Sequence, residues 1–317
     1  MSVRRAVLSA LIVLAVGGAV LAALGDFSDV PEAELRFSPG WALVALGGFA
    51  TAELVGALLW RLVLRRMGAE IAPLPALNAW SVSSLGRYLP PGLLMPALRV
   101  ARAAGYGVPA RVCLASMAYE GAFSVIGAVI VASALLADLD DATPAIAGVV
   151  AAAILLVAVH PLVFERLFNA ALRGLRRPDL PAVLSPRALA ELTLGYAASF
   201  VLLGLSVFCA LAAVHPVDAS DLPAAVGSFG VGFVASLVAF FVPGGIGVRE
   251  AGLAGALSLA VPFEVAVSVS VGVRLVQIAL ELLIAGSSSV LARRIAKPTQ
   301  STETSRRLRA TLSGRKN

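Results

Sequence analysis

Long apolar runs rich in Ala, Leu and Val alternate with short charged connectors along this 317-residue chain. Runs at 6–24, 41–64, 112–136, 144–164, 188–214 and 265–291 each match the roughly 20 residues an α-helix needs to cross a hydrocarbon core. None alternates with period two, and lipid would leave the edges of an open sheet unpaired. The pattern therefore predicts an all-α, polytopic integral membrane protein with six helical crossings.

Two further apolar stretches are broken. Residues 75–89 stop at Pro90-Pro91-Gly92, and the chain resumes over 93–104. Residues 224–242 stop at Pro243-Gly244-Gly245, and the chain resumes to Ala260. Proline lacks a donor and clashes with the preceding turn, so each break ends a helix. The expected form is a re-entrant hairpin. The breaks align at an offset of 153 (243 − 90), and Val108-Pro109 meets Val261-Pro262 at the same offset. Three crossings separate the hairpins, so the second would enter from the side opposite the first. Paired broken helices in an inverted repeat point to a transport site near the bilayer midplane.

Composition agrees with a membrane protein. Hydrophobic residues make up 59%, mean hydropathy is +0.91 and charged residues are 14%, against about 25% in soluble domains. The net charge of +6 does not read as a nucleic-acid surface, because the arginines sit in connectors and in the tail. The N-terminus, the connectors after Leu64 and Phe164, and the tail are arginine-rich. The connectors after Leu24, Leu136 and Val214 are acidic. The positive-inside rule then puts both termini in the cytoplasm of a multi-pass cell-membrane protein. The first run also has the outline of a signal peptide, but it is long and more spans follow. Residues 1–292 form the expected transmembrane domain, and 293–317 a basic cytoplasmic tail expected to lack fixed structure. Within 165–187, Leu167, Phe168, Ala171, Leu172 and Leu175 fall at helical spacing. This fits either a short interfacial helix or a solvated basic loop.

Little here suggests chemistry of the enzymatic kind. Cys113 and Cys209 lie in apolar runs, and His160 and His215 stand alone, so no metal or cofactor site is expected. Gly230-Val-Gly232-Phe-Val-Ala235 loosely matches a dinucleotide fingerprint but lies in an apolar helix, where small residues serve close packing. Ionisable residues inside apolar runs are the informative ones: Glu53, Glu120, Arg249, Glu250, Arg274 and Glu281. A charge at helix centre costs at least about 2.5–3.5 kcal/mol, so these should face the interior and pair. Ser270, Arg274, Gln277 and Glu281 make one polar stripe on the last helix. Arg61, Arg99 and Arg102 lie nearer the cytoplasmic side and are able to snorkel. Two readings stand for the buried charges: ion pairs that fix helix packing, or arginines that hold an anionic headgroup.

Phe-Val-Pro-Gly-Gly-Ile-Gly-Val-Arg-Glu at 241–250 resembles the signature of the lysylphosphatidylglycerol synthase transmembrane-region family, the flippase-like domains. Arg-Tyr-Leu-Pro-Pro-Gly at 87–92, with Arg99 and Gly105, is similar to the family's earlier Pro/Gly segment. Glu120 and Arg274 stand where the family carries a glutamate and an arginine. Met95-Pro96 and Gly121 depart from the pattern. The resemblance implies movement of a lipid or lipid-linked substrate between leaflets, and no aminoacyl transfer, since only the basic tail follows the last span.

The expectation is thus a translocase, not an enzyme, for an anionic lipid or a polyprenyl phosphate. Arg99, Glu120, Arg249, Glu250 and Arg274 would surround the headgroup while the tails stay in membrane lipid. The alternative is a scaffold for a membrane glycosyltransferase or lipid-modifying enzyme, docking through 165–187 and 293–317.

Overall fold

The structure is a computed structural model that describes residues 37–89, 94–136, 143–238 and 245–313. The expected first crossing, residues 6–24, lies outside them. So do Pro90, Pro91, Gly92, Pro243 and Gly244 of the two breaks. Among the described residues the chain is helical throughout, with no strand.

In chain order the helices are α1 (Pro39–Arg66), α2 (Pro73–Ser84), α3 (Leu94–Ala104), α4 (Ala110–Leu136), α5 (Thr143–Val159) and α6 (Pro161–Gly174). They continue as α7 (Pro186–Ala212), α8 (Leu222–Val238), α9 (Val248–Leu257) and α10 (Phe263–Ser313). Short 3-10 turns at Leu85–Tyr88 and Ala219–Asp221 follow α2 and precede α8. Proline opens α1, α2, α6 and α7 in the first turn, where its missing N–H has no helical partner to lose.

Five segments among these are long and apolar enough to cross a membrane: Pro39–Arg66, Ala110–Ser133, Pro186–Ala212, Ala219–Leu237 and Phe263–Arg294. The outward side chains agree. Only 22% of the apolar window of α1 is buried, and Leu43, Ile146, Ile154, Leu194 and Leu283 face out. Such surfaces are stable in lipid rather than in water.

Three features depart from the expected map. The run 144–164 is not one straight helix: α5 and α6 are bent by 67° at His160–Pro161, where the proline ring excludes continuation. The helix expected within 165–187 begins at that break. The first limb of the second broken stretch is itself long enough to cross, because Ala219–Leu237 is apolar along its whole length. Finally, α10 passes its expected end at Leu291 and continues to Ser313, so the segment expected to lack structure is helical to that point. Its Ala, Leu and Arg residues are good helix formers.

The repeat inferred from the two breaks reappears in the helix boundaries. α4 starts at Ala110 and α10 at Phe263 (263 − 110 = 153); α3 ends at Ala104 and α9 at Leu257 (257 − 104 = 153). The packing is reciprocal too. α2 of the first hairpin packs on α10, and α8, its counterpart, packs on α4. α3 packs on α4 as α9 packs on α10. Each half therefore walls the other's hairpin.

Small residues permit this. A Cβ on Gly232 would lie 2.7 Å from the Arg249 carbonyl oxygen, and one on Gly252 3.1 Å from the Gly232 Cα. A Cβ on Gly230 would lie 2.5 Å from the Ala128 oxygen. The glycines of the apparent dinucleotide motif thus seat α8 against α9 and α4. Trp60, Tyr119, Phe123 and Ile126 fill one buried core; Phe49, Phe200, Phe229 and Val269 fill another.

Candidate functional site

α9 starts where the backbone turns through Gly245 (φ +65°) and Gly247 (φ +88°), conformations that side-chain-bearing residues rarely adopt. The Gly247 N–H would be an orphan of the helix start. The Glu250 carboxylate accepts it through Oε2. Through Oε1 the same carboxylate meets Arg274 Nε at 3.1 Å. Ser270, one turn before Arg274, donates to the Glu250 carbonyl oxygen at 2.9 Å. Glu250 thus closes the break locally and ties α9 to α10.

Arg249 is the chain neighbour of Glu250 but not its partner. The Arg249 guanidinium lies 4.7 Å over the Phe229 ring, and no described carboxylate comes within 4.0 Å of it. It is half-buried.

The 3-10 turn after α2 reaches the same region. Arg274 lies 5.3 Å over the Tyr88 ring, and Arg87 NH1 is 3.6 Å from Glu281 Oε1. Glu53 on α1 is within electrostatic reach of Glu281, Arg87, Arg249 and Arg274. The polar stripe of the last helix is buried as expected: Ser270, Arg274, Gln277 and Glu281 all face inward.

Arg99 and Glu120 form a second centre. Arg99 is fully enclosed rather than snorkelling. Its NH1 pairs with Glu120 Oε2, its Nε donates to Ser83 Oγ at 2.8 Å, and its NH2 donates to Ser84 Oγ at 3.3 Å. The guanidinium lies 5.1 Å over Trp60 and 5.7 Å over Trp80. The Trp80 indole N–H completes the shell by donating to Glu120 Oε1 at 2.7 Å. Arg87 lies within electrostatic reach of Glu120, which links this centre to the other.

The two ion pairs occupy equivalent joints. Arg99–Glu120 ties α3 to α4; Glu250–Arg274 ties α9 to α10, with the charges exchanged. The chain matches one family model across residues 7–285, described as the lysylphosphatidylglycerol synthase TM region. The chain belongs to that family. No curated protein matches it. In this lysylphosphatidylglycerol synthase TM-region chain, four of the five expected residues form two pairs, Arg99 with Glu120 and Glu250 with Arg274, and Arg249 lies over Phe229. Glu53, Arg87, Tyr88 and Glu281 complete the set. Arg87 was marked in the sequence only as part of the first Pro/Gly segment. Its tie to Glu281 crosses 194 positions (281 − 87), and no local pattern signals it.

Outside the cluster, Arg102 NH1 donates to Asn78 Oδ1 at 3.0 Å, and Asn78 Nδ2 donates to Ser289 Oγ at 2.9 Å. Arg61 Nε donates to the Ile71 carbonyl oxygen at 2.7 Å. These two arginines brace the entry and exit of the first hairpin.

Proposed function

We propose that this protein moves an anionic lipid, or a polyprenyl phosphate, between the leaflets of the cell membrane, with both termini in the cytoplasm and without catalytic chemistry. The observation that carries the reading is the division of labour between Arg249 and Glu250. Arg249 is a half-buried cation with no paired carboxylate among the described residues, and Arg274 beside it is held by a carboxylate that a phosphate could replace. A guanidinium binds phosphate through two parallel N–H donors. The headgroup would meet Arg249 first and then compete with Glu250 for Arg274. Arg99 and Glu120, enclosed by two tryptophans, would hold the first hairpin in register beside that path. Acyl or prenyl tails would stay in lipid along the outward apolar faces.

Reconstitution tests this. Fluorescent phosphatidylglycerol and polyprenyl phosphate are placed in vesicles with and without the protein, and a quencher reads one leaflet. Transfer of neither lipid above protein-free vesicles would sink the proposal.

The exposed arginines of the α6 region, Arg166, Arg173, Arg176 and Arg177, keep one other reading in view: docking of a membrane enzyme. Loss of a stoichiometric partner on replacing them, with transfer unchanged, would favour it.

A further inference from the structure

Among the described residues, the charges around the hairpin tips balance. Arg87, Arg99, Arg249 and Arg274 stand against Glu53, Glu120, Glu250 and Glu281. Two of the glutamates are well served. Glu120 has Arg99 and the Trp80 N–H; Glu250 has Arg274 and the Gly247 N–H.

Glu281 is not. It is 4% exposed, deep between the hairpins. Among the described residues its one ion pair, to Arg87, is 3.6 Å long, beyond hydrogen-bond length, and its buried Oε2 has no hydrogen-bond partner. The Tyr88 hydroxyl, in electrostatic reach of Glu281, is buried and unpartnered as well. Glu53 is the second carboxylate here, and no ion pair within 4.0 Å joins it to a described residue. An ionised carboxylate is an acceptor at both oxygens, and burying it without donors is strongly unfavourable. A proton on Oε2 turns that acceptor into a donor.

The charge balance gives such a proton a purpose. With every carboxylate ionised the set sums to zero, and an anionic phosphodiester arriving at Arg249 and Arg274 would add a negative charge to it. In a low-dielectric interior the uncompensated charge opposes binding. A proton taken up by a neighbouring carboxylate removes the opposition.

Resting on the translocase reading, we infer that Glu281, with Glu53 beside it, is a proton-binding site linked to headgroup binding, so that an anionic lipid and a proton cross together. The proton binds a carboxylate oxygen on one side of the membrane and leaves it on the other; no bond in the lipid changes. The groups facing this site are Arg87 and Tyr88 from the first hairpin tip, Glu53 from α1, Arg249 and Glu250 from α9, and Arg274 from α10 itself.

The full chain in nanodiscs allows two measurements. Infrared difference spectra across a pH titration should show the C=O band of a buried protonated carboxyl group, absent in Glu281→Gln. Binding of dioctanoyl phosphatidylglycerol should weaken about tenfold per pH unit once the site begins to lose its proton, the slope for one linked proton. Glu281→Gln should bind with little dependence on pH, and dioctanoyl phosphatidylcholine should show no such slope. Glu53→Gln, which leaves Glu281 intact, should shift the titration and serves if Glu281→Gln does not fold. Absence of the band at every pH overturns the proton site. PH-independent binding or transfer of phosphatidylglycerol overturns the linkage and leaves the translocase reading standing. A dependence on Na⁺ at fixed pH in place of the pH slope assigns the site to a metal cation and overturns the proton. A titrating band with no anionic lipid bound or moved overturns the translocase reading and the linkage with it.

Discussion

Glu250 reaches past its chain neighbour Arg249 to Arg274, one helix away, and its second oxygen caps the Gly247 N–H. A glutamate in this position sets both the start of α9 and its attachment to α10. Exchanging residues 249 and 250 therefore removes two interactions at once. The exchanged protein is expected to lose folded yield, and Glu250→Ala to lose up to about 3 kcal/mol of stability, the lower range for breaking a buried pair. Thermal unfolding in detergent, followed by tryptophan fluorescence, measures this. Wild-type stability in both variants would show that the pair holds nothing.

Arg249→Lys separates charge from geometry. Among described residues the guanidinium has no carboxylate to lose, so folding and insertion should be unchanged. Lysine keeps the charge but not the two-pronged grip on phosphate. Transfer of anionic lipid should fall about tenfold, the loss of roughly 1.4 kcal/mol of headgroup binding. Size exclusion beside the leaflet assay reads both. Undiminished transfer would remove Arg249 from the headgroup path.

The Arg99 centre should behave as a structural unit. Arg99→Ala leaves Glu120 without its cation and empties a slot between two indoles, and should cost about 3–5 kcal/mol. Trp80→Phe removes one N–H donor to Glu120 and should cost about 1–3 kcal/mol. The double variant Arg99→Ala with Glu120→Ala should be less damaged than the sum of its parts, because each replacement removes the other's stranded charge. Additive losses in the unfolding cycle would contradict the pair.

Two glycines on facing helices offer a packing test with its own control. Gly232→Ala drives a methyl to 2.7 Å from the Arg249 carbonyl oxygen and should cost about 1–3 kcal/mol as α8 and α9 separate. Gly255→Ala on α9 meets nothing within 4 Å and should be neutral or slightly stabilising through helix propensity. Equal unfolding temperatures for the two variants would argue against the close approach.

The crossings α1, α4, α7 and α10 were legible because apolar length is a local property, and the stripe of Ser270, Arg274, Gln277 and Glu281 because helical period is local too. The offset of 153 carried further than the breaks that suggested it, down to the ends of α3 and α9. Pairing was a different matter. Whether Glu250 turns to Arg249 or Arg274 depends on the rotation of α9 after two glycines with positive φ, and a sequence does not display that rotation. The enclosure of Arg99 by Trp60 and Trp80 needs three helices to converge from distant stretches. The bend at His160–Pro161 was written in the proline, but the apolar run continued across it and masked the break.

The reciprocal walls of the two hairpins also bear on how the chain is made. Arg87 and Glu281 are 194 positions apart (281 − 87), so the helix that carries Glu281 leaves the ribosome long after the first hairpin. At about 5–20 residues per second, roughly ten to forty seconds separate the synthesis of the two. For that interval the first hairpin has its arginine and its tyrosine in the bilayer but no α10 to close over them. Biogenesis of this protein therefore passes through a stage in which a half-built polar surface lies in the membrane before α10 arrives to cover it.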